Sequence, residues 1–290
     1  MTVRVATGQI HVRPLELADL DATAELTGAA FGIEIEEEAN RRRWLGRLAH
    51  PLRTDPDGAF IAERDGRVLG AAQAIRRERL WVLSLLAVDP EAQSAGAGRA
   101  LMDRALGYGA AGDAGLIVSS SDPRALRLYG LAGFSLWPAF EAVGSLDRAK
   151  LPRADPAVRE AGEDELEELA PISREVRGAA HTADLAFALG RGGRLLRHGD
   201  RGFSVTLPGF GVWLLAARDP DAARALLWGA LELVGEVEED HRSVRWITGG
   251  QDWAIELLLG AGYALGPYGA LCVRGRPGPL NPYLPSPPFG

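Results

Sequence analysis

Several scarcities narrow what this 290-residue chain can be. Cysteine occurs once, at Cys272, which excludes an intrachain disulfide; set in Ala270-Leu271-Cys272-Val273, it reads as a core strand residue rather than a nucleophile. Lysine also occurs once, at Lys150, so the Gly-Lys-Ser/Thr of a P-loop is missing. The histidines (His11, His50, His181, His198, His241) are scattered, with no i,i+4 pair and no cysteine at ligand spacing, and no metal site is expected. No apolar stretch reaches membrane-spanning length, and Met1 to Gly8 lacks the apolar core of a secretion signal, so the expectation is a cytoplasmic protein with no membrane partner. A net charge of -7 and a pI near 5.4 argue against nucleic acid and for a cationic or neutral small-molecule partner. What remains is ordinary globular composition, 47% hydrophobic and 24% charged, with length enough for two domains.

The most informative stretch present is Val88 to Met102. Before it, Leu80 to Val88 is a nearly unbroken apolar run of strand length; after it, Leu101, Ala105 and Leu106 recur at helical spacing. Between them Gly96 and Gly98 can take positive φ and leave no side chain in the way. Consecutive backbone N–H groups can therefore turn toward one anion at a helix N-terminus. A dinucleotide fingerprint fits worse, because its third glycine would fall on Leu101.

The run Gln93-Ser94-Ala95-Gly96-Ala97-Gly98 resembles the Gln/Arg-x-x-Gly-x-Gly/Ala acyl-CoA loop of the GNAT superfamily of N-acyltransferases. A second segment, Asp122 to Phe134, resembles that family's other signature, Asn-x-x-Ala-x-x-x-Tyr-x-x-x-Gly-Phe, with Ala125, Tyr129, Gly133 and Phe134 in register. Asp122 replaces the usual Asn. It is an equally good helix N-cap, with Pro123 at the first helical position and Gly133 as the stop, but it brings a carboxylate.

The chain also repeats itself. Asp219-Pro220 echoes Asp89-Pro90 at an offset of 130, and Gln251 to Tyr263 echoes the second motif at an offset of 129. The second copy has lost its chemistry: Pro90 to Ala100 spans ten positions, Pro220 to the matching Ala225 spans five, and Leu258 stands where Tyr129 stands. The expected fold class is α/β of the α+β type: two tandem GNAT-like folds, each a mixed, mostly antiparallel sheet flanked by helices. The expected domains are residues 1–147 (catalytic), a linker over 148–156, a degenerate copy over 157–275, and a Pro-rich tail over 276–290 that must be extended. Within the first copy, strands are expected near Gln9 to Arg13, Gly58 to Glu63 and Val68 to Ile75, helices near Leu17 to Ala30 and Glu34 to Ala49, and closing strands from Leu136 to Leu146. The copies are expected to pair as an intrachain pseudo-dimer, the whole chain being monomer or homodimer, with the tail folded back near their junction and Gly290 a candidate base there.

The resemblance implies acetyl-CoA as cosubstrate, bound by the backbone of Leu86, Ala87 and Val88 along its pantetheine arm and by Gln93, Ser94, Ala95, Gly96, Ala97, Gly98, Arg99 and Asp122. It implies direct attack by the amine of a small acceptor and Tyr129 as general acid toward the leaving thiolate. The lesser alternative for Tyr129 is a core tyrosine on its helix. An amine of lysine-like pKa must lose a proton first, at a cost of about 4–5 kcal/mol at pH 7. No acid stands on the Trp81–Val88 strand to take it. Ser119, Ser120, Asp122, Glu78 and the run Glu34-Ile35-Glu36-Glu37-Glu38 remain as candidates, the last also readable as helix-dipole complement. Trp44, Trp81 and Trp137 read as core aromatics or as acceptor-cavity walls. The competing reading is a non-catalytic acyl-CoA-binding or sensing protein on the same scaffold.

Overall fold

The computed structural model describes residues 9–93, 96–144, 154–235 and 243–290. Contacts divide the chain into two units, residues up to 76 with 81–113, and residues 77–80 with 114–290. Ser94, Ala95 and most of the expected linker, 148–153, lie outside the described residues, as does Leu146.

In the first unit, strands β1 (His11–Pro14), β2 (Ala59–Arg64), β3 (Arg67–Arg77) and β4 (Leu80–Val88) lie in that order in an antiparallel sheet. Helices α1 (Leu20–Phe31) and α2 (Glu38–Thr54) precede β2, and α3 (Ala97–Gly107) follows β4. The β2–β3 hairpin turns on Asp65 (φ 51°) and Gly66 (φ 76°), both left-handed, the backbone a two-residue turn requires. Leu48, Leu52, Ile61, Ala71 and Leu85 form the core beneath α1 and α2. The helix expected over Glu34 to Ala49 lies further along. Glu34 to Glu37 precede it, and it continues through Pro51, whose missing N–H breaks only one late hydrogen bond while Asp55 N donates to Pro51 O at 2.8 Å.

The second unit contains β5 (Ala114–Ser119), α4 (Pro123–Leu131) and β6 (Ser135–Val143) from the first copy of the repeat. From the second copy come β7 (Val158–Ala161), α5 (Leu166–Arg177), α6 (Thr182–Leu189), β8 (Arg194–His198), β9 (Gly202–Leu207), β10 (Gly211–Ala217), α7 (Pro220–Gly235), β11 (Ser243–Thr248), α8 (Asp252–Gly260) and β12 (Ala264–Arg274). The tail adds β13 (Tyr283–Leu284). One run of strands reads β5-β12-β6-β11 and the other β13-β10-β9-β8-β7.

The first run corrects the expectation of closing strands from Leu136 to Leu146. β6 is a single strand, and the place between it and β5 is taken by β12, antiparallel to both, with Cys272 opposite Ile117 on one side and Leu136 on the other. Reciprocally, β6 lies between β11 and β12, so each copy's last strand sits between two strands of the other. Ala270 to Val273, buried throughout, is the composition a central strand needs. β12 approaches β5 closely only because residue 269 is a glycine: at φ 62°, a Cβ there would stand 2.0 Å from Ser119 O. The tail is extended at its strand, as its prolines dictate, but it docks among second-copy elements, antiparallel to β10.

Candidate functional site

The loop after β4 is held by short-range bonds. Asp89 Oδ1 accepts from Glu91 N at 2.9 Å, and Arg67 ties down the carboxylates of Asp89 (2.6 Å) and Glu91 (2.8 Å). Gln93 continues in extended conformation (φ −62°, ψ 151°). Gly96 then takes φ 92°, ψ −4°, and caps α3. A glycine cap has no side-chain oxygen for the first helical N–H groups, and Ile10 Cδ1, 4.0 Å from where its Cβ would be, leaves the space open. Ala97 is buried with Leu101, Met102 and Ala105, Gly98 is half-buried, and Arg99 is exposed at the helix start. A helix start with a left-handed glycine and no side-chain cap fits a pyrophosphate. Behind them, β3 packs against the end of β4 only because of Gly70: a Cβ there would lie 2.7 Å from Ala87 O and 2.9 Å from Leu101 Cδ1. Leu86 and Val88 are half-buried beside the buried Ala87.

The same junction in the second copy is closed. β10 runs almost directly into α7, and Asp219 Oδ1 accepts from Asp221 N (3.1 Å) and Ala222 N (3.0 Å) while its carboxylate pairs with Arg201. A carboxylate of the chain itself therefore fills the anion position of that helix.

The second motif folds as its residues dictate. Asp122 Oδ1 accepts from Arg124 N at 2.8 Å, Pro123 opens α4, and beyond it Gly133 (φ 86°) lets Phe134 N reach Tyr129 O at 3.1 Å. The Arg124 guanidinium, 2.8 Å from the Asp122 carboxylate, holds its pKa below the usual range, so the departure from Asn brings a largely neutralised charge. Tyr129 is 6% exposed, and burial first, then the neighbouring Cys272 and Asp122, raise its phenol pKa well above the ordinary value. Burial pushes the Cys272 thiol up to about 12. Cys272 is a core residue of β12.

The candidate bases are variously engaged. Glu78 pairs with Arg174 at 2.8 Å, and Ser119 donates to Ser120 O. Glu37 stands at the N-cap position of α2 without a side-chain cap bond, while Glu38 in its first turn pairs with Arg42 at 3.5 Å, as helix-dipole complement and an i,i+4 pair predict. Glu34 and Glu36 are exposed. Gly290 O is bound by His181 and Tyr283 of the second copy and its tail, away from the base role considered for it. Trp81 is fully buried and donates to Ala105 O, a core residue; Trp44 donates to Thr27 at 2.7 Å; Trp137 is 38% exposed.

Two clusters escaped sequence reasoning. In the first unit, buried Arg47 bonds the carbonyl and hydroxyl of Ser84 and, at 3.4 Å, Gln73, whose own amide donates to Leu48 O. The signal available was two polar residues, Gln73 and Ser84, inside the otherwise apolar runs Val68 to Ile75 and Leu80 to Val88. In the second unit, Trp246, at φ 55° in the β11 bulge, donates to Ser119 O at 2.9 Å and meets Tyr268 edge to face. Second-copy side chains thus brace the end of β5. Among the described residues, no group of three His, Cys, Asp or Glu could hold a metal ion, and no helix is long and apolar enough to cross a membrane.

Residues 20–134 match the Acetyltransferase (GNAT) family. A mycothiol acetyltransferase from Acidothermus cellulolyticus is 34% identical over 139 residues, covering 41% of this chain and 42% of that protein, so the chain spans less than half the length of the curated relatives it matches. Among solved structures, a Pyrococcus horikoshii protein superposes with a TM-score of 0.78 at 18% identity over 97% of this chain and 96% of its own. A tandem GNAT protein from the clavulanic acid biosynthesis pathway superposes with a TM-score of 0.56 at 16% identity over 92% and 98%.

Proposed function

Since this chain carries a GNAT acetyltransferase-family domain over residues 20–134 within a fold shared with a tandem GNAT protein, we propose that it transfers an acetyl group from acetyl-CoA to the amine of a small, cationic or neutral acceptor. The observation that carries this reading is the contrast at the two duplicated junctions: α3 begins at an open, left-handed glycine, whereas α7 begins at a carboxylate that already occupies the same position.

In this reading acetyl-CoA, when bound, supplies the activated acyl carbon. The N–H groups from Ala97 to Arg99 and the loop Gln93 to Gly98, with Ser94 and Ala95, hold its pyrophosphate, and the backbone of Leu86, Ala87 and Val88 lines its arm, one N–H polarising the thioester carbonyl. The amine nitrogen attacks that carbonyl carbon, the C–S bond breaks, Tyr129 gives its phenolic proton to the departing sulfur, and the proton shed by the amine passes to solvent, which returns one to the phenolate. A raised phenol pKa looks at first like a poor match for a thiol of ordinary pKa near 8.5. Burial raises both, however. A low-dielectric site disfavours the thiolate as it does the phenolate, and the Cys272 thiol beside Tyr129, itself pushed up by burial, shows the same direction. The Asp122–Arg124 pair adds little net charge beside this step.

The acceptor panel is one of small amines, and the mycothiol acetyltransferase relative adds the acceptor of that enzyme to it. Acetyl-CoA as donor agrees with action in the cytoplasm, and the exchanged strands β6 and β12 support the reading of the copies as an intrachain pair. Thiol release from acetyl-CoA, measured against that panel, tests the proposal. Tight acetyl-CoA binding with no acceptor-dependent release favours the non-catalytic sensor instead, a reading that draws on the absence of an acid along β4.

A further inference from the structure

In the second copy the tail touches the positions that correspond to acyl-CoA positions in the first. The repeat offset equates Leu215, Ala216 and Ala217 with Leu85, Leu86 and Ala87. Those β10 residues are the ones that pair with the tail: Leu215 opposite Leu284, Ala216 opposite Tyr283, and Ala217 N donating to Pro282 O at 3.2 Å. The pairing uses the β10 edge away from β9, which corresponds to the β4 edge away from β3. Gln251, the counterpart of Asp122, caps nothing with its side chain. Its amide instead donates to Leu280 O (2.7 Å) and accepts from Tyr283 N (3.1 Å).

The rest of the tail is anchored by wholly buried side chains. Arg177 bonds Phe289 O, and His181 Nε2 meets both Gly290 O and the Tyr283 hydroxyl at 3.2 Å. Phe289 stacks edge-on against Trp213 and Phe187. Leu280, Tyr283, Leu284, Ser286 and Phe289 are each no more than 3% exposed. A segment that adds the two-residue strand Tyr283–Leu284 to a sheet edge, turns at Ser286 to Gly290 and buries its side chains alongside is bound as a peptide ligand is bound.

We infer that residues 280–290 are an internal ligand: they occupy the slot in the second copy that the amide-bearing pantetheine arm occupies in the first, and so exclude acyl-CoA from the degenerate copy. The inference rests on the proposed placement of that arm along Leu86 to Val88. Two amides in an extended chain make pantetheine the chemical counterpart of a short β-strand, which is why a peptide can replace it. The loss of the glycine loop and the gain of the tail then form one change, a cofactor cleft converted into a closed core.

The test is a full-length chain with a protease recognition sequence inserted between Gly275 and Arg276, cut after folding. The freed segment should stay bound through gel filtration and exchange with a synthetic peptide of residues 279–290. A peptide carrying Tyr283→Ala should exchange about 30-fold more weakly, the loss expected for one buried aromatic anchor. Pantetheine, which needs no phosphate loop, should compete with the peptide. Loss of the segment on cutting, with the melting temperature unchanged, overturns the docking; retention without any competition by pantetheine overturns the shared slot. Calorimetry of the uncut chain with acetyl-CoA keeps the two readings apart. One equivalent bound is expected, none refutes the acyl-CoA reading of the first copy, and two refutes the plug.

Discussion

Gly96 is the position at which the proposed cofactor site can be tested with least disturbance elsewhere. It is exposed and its Cβ would meet nothing closer than Ile10 Cδ1 at 4.0 Å, so Gly96→Ala adds no clash. What it adds is conformational cost. At φ 92° an L-residue pays about 1–2 kcal/mol that glycine does not. If the loop relaxes in the free protein, the ligand must restore the left-handed geometry. The cost then appears in the acetyl-CoA dissociation constant as a loss of about 5–30-fold. If the loop cannot relax, the same energy appears as lost stability. Gly96→Asn should cost less than Gly96→Ala because asparagine tolerates this region, and Gly96→Val should cost most because a β-branched residue does not. Calorimetric titration with acetyl-CoA, run beside thermal melts, separates the two channels. An alanine variant that binds within about twofold of the parent and melts unchanged would show that the left-handed glycine does not set the anion geometry.

Tyr129→Phe should lower turnover about 10²–10⁴-fold with acetyl-CoA affinity nearly unchanged, and an unchanged rate in steady-state assays would return Tyr129 to the core. His181, fully buried and facing Arg177, Asp184, Arg77, Ser173, Tyr283 and Gly290, has its pKa held well below 6.5, first by burial and then by Arg177. The unfolded chain therefore binds the extra proton: the stability is fully present above about pH 6.5 and is lost as pH falls below it, approaching ~1.4 kcal/mol per pH unit. Urea unfolding between pH 7 and pH 5 should show this slope and His181→Gln should flatten it; equal slopes would refute the assignment. Gly269→Ala would place a methyl group 2.0 Å from Ser119 O, so β12 must shift from β5, and a melting temperature within about a degree of the parent would contradict the exchanged-strand arrangement.

Local chemistry explains which parts of this architecture were legible in the sequence. β4 ends where its apolar run ends, α4 starts where Asp122 and Pro123 start it, and the hairpin turns at Asp65-Gly66, because each boundary is set by residues within one turn of it. The exchange of β6 and β12 was not legible. Ser135 to Val143 and Ala264 to Arg274 carry strand patterns, but nothing local tells a strand which edge of which copy it will join. The Glu34 to Glu38 run misled for a related reason: acids suit a helix start anywhere along the run, and the structure places that start at Glu38. Among the site residues, the glycines and caps were readable from conformation alone. The phenol–thiol neighbourhood of Tyr129 and Cys272 joins residues more than a hundred positions apart, and it exists only through the strand exchange.

The two junctions also differ in energetic terms in a way the proposed acyl-CoA reading explains. A side-chain cap contributes about 1 kcal/mol by satisfying one of the first N–H groups, and Asp219 obtains that contribution for α7 with two bonds. The first copy has the same Asp-Pro pair, but there Asp89 is separated from α3 by the loop and caps only the short turn at Pro90 to Ala92. α3 thus forgoes a stabilisation that its duplicate shows to be within reach of the same sequence. Where the carboxylate sits at the helix, the chain is five positions shorter, and the stretch without a counterpart there is the glycine loop. On the proposed acyl-CoA reading, stability and ligand capture are alternatives at this junction, and each copy holds one of them. A variant of the first copy with the loop shortened to the second copy's length should therefore gain a helix cap and lose acetyl-CoA together; a shortened loop that still binds acetyl-CoA would break the link between the open helix start and the cofactor.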